Sequence, residues 1–196
     1  MKIILGSHSP RRREIMDFFS LPFLQVGSDF SEETVPFKGD PAVYATVLSQ
    51  KKGEALASKY PQEIILTADT VVFHKGKVYN KPADEKEAFS FLAELCGNWH
   101  SVYTGVTVRR GSESYSSHEE TRLLFNALTP QQIQKFHHHC YFLDKAGGYA
   151  IEKSGNLLVS RIEGCYYNVL GLPMNTVRTL LLKLGIDLWD YLKSFS

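Results

Sequence analysis

Cysteine is scarce: Cys96, Cys140 and Cys165 are the only three in 196 residues, widely spaced and without a C-x-x-C pair. That excludes a disulfide framework and a cysteine zinc site, and it suits a reducing compartment, so a cytoplasmic protein is expected. Long apolar runs are missing too. After Lys2 only Ile3, Ile4 and Leu5 precede polar residues, too few for the apolar segment of a secretory signal, and no stretch reaches the roughly 18 residues of a membrane span. There is no excess of charge of one sign, with 22 Lys and Arg against 21 Asp and Glu and a formal net charge of +1. No stable nucleic-acid partner and no membrane partner are therefore expected, and any anion site must be local. No internal repeat, low-complexity stretch or linker divides the chain, so one domain over 1–196 is expected. Nor is there a G-x-x-x-x-G-K-[ST] phosphate loop.

What is present is a 43% hydrophobic chain able to bury a real core. The stretch KIILGS reads as a short buried strand that turns directly into a helix, with Ser9 as N-cap, Pro10 at the first position and Ile15, Phe18 and Phe19 on the buried face. FLQVGS at 23–28 reads as a second strand, followed by an acidic loop with Asp29, Glu32 and Glu33. Residues 41–60 carry a helical pattern through Val43, Val47 with Leu48, Lys51 or Lys52, Ala55 and Leu56. Residues 63–82 read as two strands with a hairpin tip at His74-Lys75-Gly76-Lys77, and an amphipathic helix runs from Asp84 to Gly97. Two more strands join at Gly111-Ser112, a helix follows from Thr129 to about His138, residues 157–164 read as a strand, and a last helix spans 172–184. This alternation predicts an α/β fold, a mixed twisted sheet with flanking helices, elongated into two lobes around a central cleft.

Three features carry chemistry. Arg11, Arg12 and Arg13 crowd the first turn of the first helix, where acids are favoured. They are either solvated surface charge or, with the free backbone N–H groups, a cradle for phosphates. Asp69 and Thr70 interrupt an apolar strand in ADTVV. A carboxylate there is costly unless it lies at the strand end, is paired or holds a metal; Asp69 either caps a turn or faces the same cleft as the arginines, as a metal ligand or a general base. Lys52, Lys81 and Glu32 would each read as solvated if taken singly, and gain meaning only together.

In order along the chain stand S-H-S-P-R-R at 7–12, D-F-S-E at 29–32, L-S-Q-K-K at 48–52 and A-D-T-V-V at 68–72. N-K-P at 80–82, H-S-V-Y-T-G at 100–105, D-K-A-G-G-Y at 144–149 and N-V-L-G-L-P at 168–173 follow. Together these eight segments closely resemble the Maf family of nucleoside triphosphate pyrophosphatases over nearly the whole chain. The resemblance implies a fold like that of the inosine triphosphate pyrophosphatases, a homodimer among its assemblies, and a nucleoside triphosphate as partner. It implies hydrolysis between the α and β phosphates to a monophosphate and pyrophosphate, with a divalent cation such as Mg²⁺ or Mn²⁺ as cofactor. Carried over by motif, phosphate binding falls on Ser7, Ser9, Arg11 and Arg12, and the catalytic set on Asp69, Glu32, Lys52 and Lys81. Glu32 and Asp69 are the implied metal ligands, with Asp69 the proton acceptor.

The pyrimidine-selective branch, acting on dTTP and UTP, distinguishes its base at positions matching Arg11, Thr70 and a glutamine after D-K-A-G-x-Y. Here Glu152 stands in place of that glutamine and Lys153 in place of a glycine. A glutamine both donates and accepts, whereas an ionised glutamate only accepts, so Glu152 can take the N3–H of uracil or thymine but cannot donate to a carbonyl. The D-K-A-G-G-Y segment still favours dTTP and UTP over 7-methyl-GTP. Two rivals are a nucleotide sensor or cell-division regulator without turnover, and an RNA-binding module on the basic helix start, which the near-zero net charge disfavours. The run HHHC at 137–140 reads as helix-end solvation, since consecutive helical residues cannot all ligate one ion. His100 is either a buried hydrogen-bonded histidine or a catalytic one. The tail at 186–195 is read as core packing, with a dimer surface as the alternative.

Overall fold

A computed structural model describes residues 2–194, so Phe195 of the tail lies outside the described residues. The order of elements is β1 (Ile3–Gly6), α1 (Pro10–Met16), β2 (Phe23–Val26), α2 (Pro41–Ala57), β3 (Ile64–His74), β4 (Lys77–Tyr79), α3 (Glu85–Leu95), β5 (Trp99–Arg110), β6 (Glu113–Phe125), α4 (Pro130–His139), β7 (Val159–Glu163), α5 (Tyr166–Val169) and α6 (Met174–Lys183). The seven strands form one mixed sheet in the order β2-β1-β3-β5-β6-β7, with β4 also on β3. β1 runs parallel to β2 and β3; the pairings among β3, β4, β5, β6 and β7 are antiparallel. The α/β class, the mixed sheet and the flanking helices are those the sequence predicts. Among the described residues, no helix is long and apolar enough to cross a membrane.

Strand lengths open the sheet where the chemistry lies. β5 covers one edge of β3 from Ile65 to Phe73. On the other edge β1 pairs only with Ile64 to Leu66, and β4 pairs only from Val72 to His74. The backbone between, including Asp69 and Thr70, has no strand on that side among the described residues. Because β1 ends alongside this gap, the turn that leaves it, Ser7 to Ser9, and the start of α1 border the same opening. Alternation along β3 then sends Asp69 to the α2 face and Thr70 to the opposite face.

α2 is seated unusually close to the sheet. An added Cβ at Gly105 would stand 2.3 Å from the carbonyl carbon and oxygen of Ala45, so only glycine lets the helix backbone approach β5 this far. Contrary to the sequence pattern, Val43 and Ala55 are exposed, and the buried residues of α2 are Pro41, Tyr44, Ala45, Leu48, Ser49, Gly53 and Leu56. Small and hydroxyl-bearing residues serve because the facing strands offer threonines: Ser49 Oγ lies 2.7 Å from Thr107 Oγ1, and Thr67 Oγ1 donates to the Ser49 carbonyl at 2.7 Å. Phe18 likewise is 40% exposed, because α1 ends at Met16, and Ile15 and Met16 carry its buried face.

Two further departures are local. Leu157 and Leu158 belong to a 3-10 turn, Lys153–Leu158, instead of β7, since Asn126 takes both of their carbonyls, at 2.9 Å through its side chain and 2.7 Å through its backbone. The last helix begins at Met174, two residues later than the sequence pattern, and the unpredicted α5 precedes it. The tail packs against the segment after α1: Leu188 is buried, Ser20 donates to the Tyr191 carbonyl at 2.8 Å, and Lys193 Nζ donates to the Asp17 carbonyl at 2.6 Å.

Candidate active site

One cleft of about 260 Å³ opens at the gap in the β3 edge. It is lined by Ser7, Ser9, Arg11 and Arg12 from the β1–α1 turn, by Glu32, Lys52 and Lys81, and by Asp69 and Thr70 of β3. The structure thus brings together nine of the ten residues to which the family resemblance assigns phosphate, catalytic, metal or base contacts. The tenth, Glu152, does not line the cleft but reaches Arg11, which does, with Oε2 3.5 Å from the guanidinium.

The three arginines go three ways. Arg13 is exposed and lies 3.8 Å from Asp17 one turn along α1, which is the solvated-surface reading for that residue. Arg11 faces Glu152. Arg12 folds back into the cleft wall, donating through Nε to the Gly171 carbonyl at 2.7 Å, through Nη1 to Ser7 Oγ at 3.1 Å and through Nη2 to Thr70 Oγ1 at 3.1 Å. Three of its five N–H groups are therefore committed, and two remain. Ser7 Oγ accepts from both Arg12 and the Ser9 N–H, which leaves its own proton unspent. Ser9 caps α1 by accepting from the Arg12 N–H at 3.4 Å.

In the same cleft, the ammonium of Lys52 sits between two carboxylates. It bonds Asp69, which is buried, and lies 2.7 Å from the more open Glu32. Burial lifts the Asp69 carboxyl above the ordinary aspartate range, more than Lys52 lowers it, and the neighbouring Glu32 adds to the rise. Burial pushes Glu32 in the same direction, but there Lys52, helped by Lys81 and Arg12, prevails and holds the carboxyl below its ordinary value. Two adjacent carboxylates are thus pushed apart, one toward proton acceptance and one toward permanent charge.

Those carboxylates offer hard oxygen donors, and no third His, Cys, Asp or Glu joins them in a metal-holding group among the described residues. The set fits Mg²⁺ or Mn²⁺, which are commonly held by one or two carboxylates with phosphate oxygens and water making up the shell. The Lys52 ammonium shows that the carboxylates converge on a single cation.

Sequence reasoning gave no role to several residues that shape the site. Asn80 and Tyr149 line the cleft, Gly171 supplies the carbonyl that fixes Arg12, and Asn168 anchors α5 through Nδ2 to the Val102 carbonyl and Thr121 Oγ1, each at 2.9 Å. All four lie in the N-K-P, D-K-A-G-G-Y and N-V-L-G-L-P segments, which was the available signal. Tyr149 Oη is 2.9 Å from Nε2 of His100, which does not line the cleft and whose burial depresses its pKa to about 4. Among the C-terminal histidines of α4, His137 Nε2 faces the Gly148 carbonyl at 3.2 Å while His138 and His139 are exposed.

A family model described as Maf-like protein matches residues 2–184. The chain is 42% identical over 192 residues to a dTTP/UTP pyrophosphatase of Chlamydia caviae, covering 97% of this chain and 98% of that protein. It is 43% identical over 178 residues to a dTTP/UTP pyrophosphatase of Clostridium perfringens, covering 89% and 93% respectively. A nucleoside triphosphate pyrophosphatase of Chlamydia muridarum matches at 38% identity over 97% of this chain and 98% of its own length. Among solved structures, the Ham1 protein of Staphylococcus aureus is similar over 94% of this chain and 98% of that one, at 13% identity and a TM-score of 0.49.

Proposed function

The chain belongs to the Maf family, and from that premise we propose that it hydrolyses nucleoside triphosphates, dTTP and UTP foremost, between the α and β phosphates, releasing a monophosphate and pyrophosphate. The observation that carries this reading is the shared cleft, which Arg11, Arg12 and Ser7 line together with the Glu32–Lys52–Asp69 cluster. The printed names of the relatives support the choice of triphosphate.

Splitting a phosphoanhydride requires charge neutralisation on the departing pyrophosphate and a water aligned on the α-phosphorus. The two uncommitted N–H groups of Arg12 and the unspent proton of Ser7 supply donors for phosphate oxygens. Lys81, exposed and lining the cleft, adds a further cation. Asp69 takes the proton as water attacks the α-phosphorus and the bridging oxygen leaves with pyrophosphate. Its raised pKa makes it a stronger acceptor than a surface aspartate, and Lys52 keeps the carboxylate oriented. Glu32 and Asp69 would hold a divalent cation, which when bound supplies further neutralisation of phosphate charge.

The test is a turnover screen over common and modified nucleoside triphosphates with Mg²⁺, Mn²⁺ and Co²⁺, with products identified. Monophosphate plus pyrophosphate from dTTP and UTP is expected. Orthophosphate release, or no turnover on any triphosphate, overturns the proposal, the latter in favour of a nucleotide sensor.

A further inference from the structure

His100 takes no part in the chemistry at the phosphates. It is buried on β5, two residues before Val102 and therefore on the same face of the sheet, and it does not line the cleft. Burial lowers its pKa to about 4, so the imidazole is neutral at working pH and offers no cation to a phosphate. What it holds is Tyr149. Nε2 lies 2.9 Å from the Tyr149 hydroxyl, and the two rings close an edge-to-face triangle with Phe125, with centroids 4.5, 4.8 and 5.6 Å apart.

Tyr149, unlike His100, lines the cleft, and it does so among apolar neighbours. Phosphate oxygens need donors, which the cleft offers at Ser7, Arg11, Arg12, Lys52 and Lys81. Its apolar lining is Val72, Val102, Ala146, Tyr149, Val169 and Leu170, with Val72 and Val102 paired across β3 and β5. A flat heterocycle is the part of a nucleotide that suits such a surface. The Tyr149 ring has little freedom there. Gly147 passes so close that an added Cβ would stand 2.8 Å from Tyr149 Cε1 and 3.1 Å from Val72 Cγ2, which confines one edge of the ring, while His100 fixes the hydroxyl end.

We propose that His100 is a positioning residue for the base: by holding the Tyr149 hydroxyl it fixes that ring as a wall of the apolar part of the cleft, and it acts on neither the polyphosphate nor the bond that breaks. The proposal rests on the reading of the cleft as a nucleoside triphosphate site.

Two probes separate the ends of that site: inorganic tripolyphosphate, which has no base, and α,β-methylene-dTTP, which keeps the base and cannot be split between its α and β phosphorus atoms. Calorimetric titration in Mg²⁺ compares wild type, Tyr149→Phe, His100→Gln and the double variant His100→Phe/Tyr149→Phe. Tyr149→Phe and the double variant should bind the dTTP analogue about fivefold more weakly, the size of one neutral hydrogen bond, and tripolyphosphate as tightly as wild type. His100→Gln, whose amide can still meet the hydroxyl, should lose less. In turnover, KM for dTTP and UTP should rise by the same factor with kcat little changed. Tyr149→Phe leaves a buried imidazole nitrogen without its partner, whereas the double variant removes both polar groups, so the double variant should recover thermal stability while its analogue binding stays weak. A merely structural role would recover both. If the double variant shows no thermal transition, Tyr149→Phe and His100→Gln carry the same binding measurements. Undiminished binding of the analogue without the hydroxyl, or an equal loss for tripolyphosphate, overturns the proposal. A wild type that binds the analogue but splits no triphosphate ends the hydrolase reading alone, while hydroxyl-dependent analogue binding still supports the role of His100; a wild type that binds neither probe ends both.

Discussion

Lys52, on α2, holds its ammonium against the buried carboxylate of Asp69, on β3, while a second carboxylate, Glu32, approaches the same ammonium to 2.7 Å. The pair depends on how closely α2 lies on the sheet, and it keeps Asp69 oriented in a place where burial works against its charge. Stability and catalysis therefore pull on Asp69 in opposite directions.

Asp69→Asn removes the proton acceptor while keeping shape and burial. kcat should fall by about 10²–10⁴, the usual contribution of a positioned general base. Burial already outweighs Lys52 in the folded protein, and Lys52 keeps Glu32 as a partner, so the thermal midpoint near neutral pH should not drop. Differential scanning calorimetry beside steady-state kinetics checks both. A variant that retains near-normal kcat removes Asp69 from the mechanism.

The two carboxylates also predict pH effects of opposite sign. Glu32 has a folded-state pKa below its unfolded value, so its contribution to stability is full above the ordinary glutamate pKa and is lost as pH falls through the lowered one. Asp69, raised in the folded state, binds its proton more tightly there, so its ionisation costs stability as pH climbs from the ordinary aspartate value through the raised one. Thermal midpoints measured through the acid range should lose less in Glu32→Gln than in wild type as pH falls. In Asp69→Asn the opposing component should vanish.

Gly105→Ala tests the seating of α2. The new methyl would lie 2.3 Å from the backbone of Ala45, which has no rotamer through which to yield. Overpacking of this kind costs about 1–3 kcal/mol, and here the helix that carries Lys52 must move. Chemical denaturation should show the lower stability, with kcat falling in the fraction that stays folded. A variant as stable and as active as wild type would show that the helix can stand further off without harm.

How far the site was legible in the sequence follows from the range of each contact. The strand–turn–helix start needed only neighbouring residues, Ser9, Pro10 and the apolar positions after them, and Asp69 declared itself by interrupting an apolar strand. The face of α2 was misread because burial there uses Ser49 and Gly53 against threonines, which carry no apolar periodicity. The partners of Arg12 were hidden for a different reason: Thr70 lies 58 residues away and Gly171 lies 159 away, and only the packed fold joins them. Arg11 and Glu152 were grouped by the family resemblance as base positions, but that they face each other as a charge pair could be read only from the packed fold.

That last pair yields the clearest test of base choice. Arg11 and Glu152 stand 3.5 Å apart, each with side chains about one quarter exposed, and Glu152 Oε2 is buried with no hydrogen-bond donor of its own. A uracil or thymine edge offers an N3–H between two carbonyls, so it needs one acceptor and one donor; the carboxylate can be the first and the guanidinium the second. In that arrangement Arg11 must serve both Glu152 and the base. Glu152→Gln supplies a donor and an acceptor on one side chain and frees Arg11 from its counter-charge. KM for dTTP and UTP should fall by up to about tenfold, one hydrogen bond's worth, with kcat little changed, because the base is remote from the bond that breaks. Purine triphosphates should not gain. Steady-state kinetics on dTTP, UTP, dATP and dGTP decide it: an equal gain on all four would trace the effect to Arg11 acting on phosphate, and no gain on any would take Glu152 out of base selection.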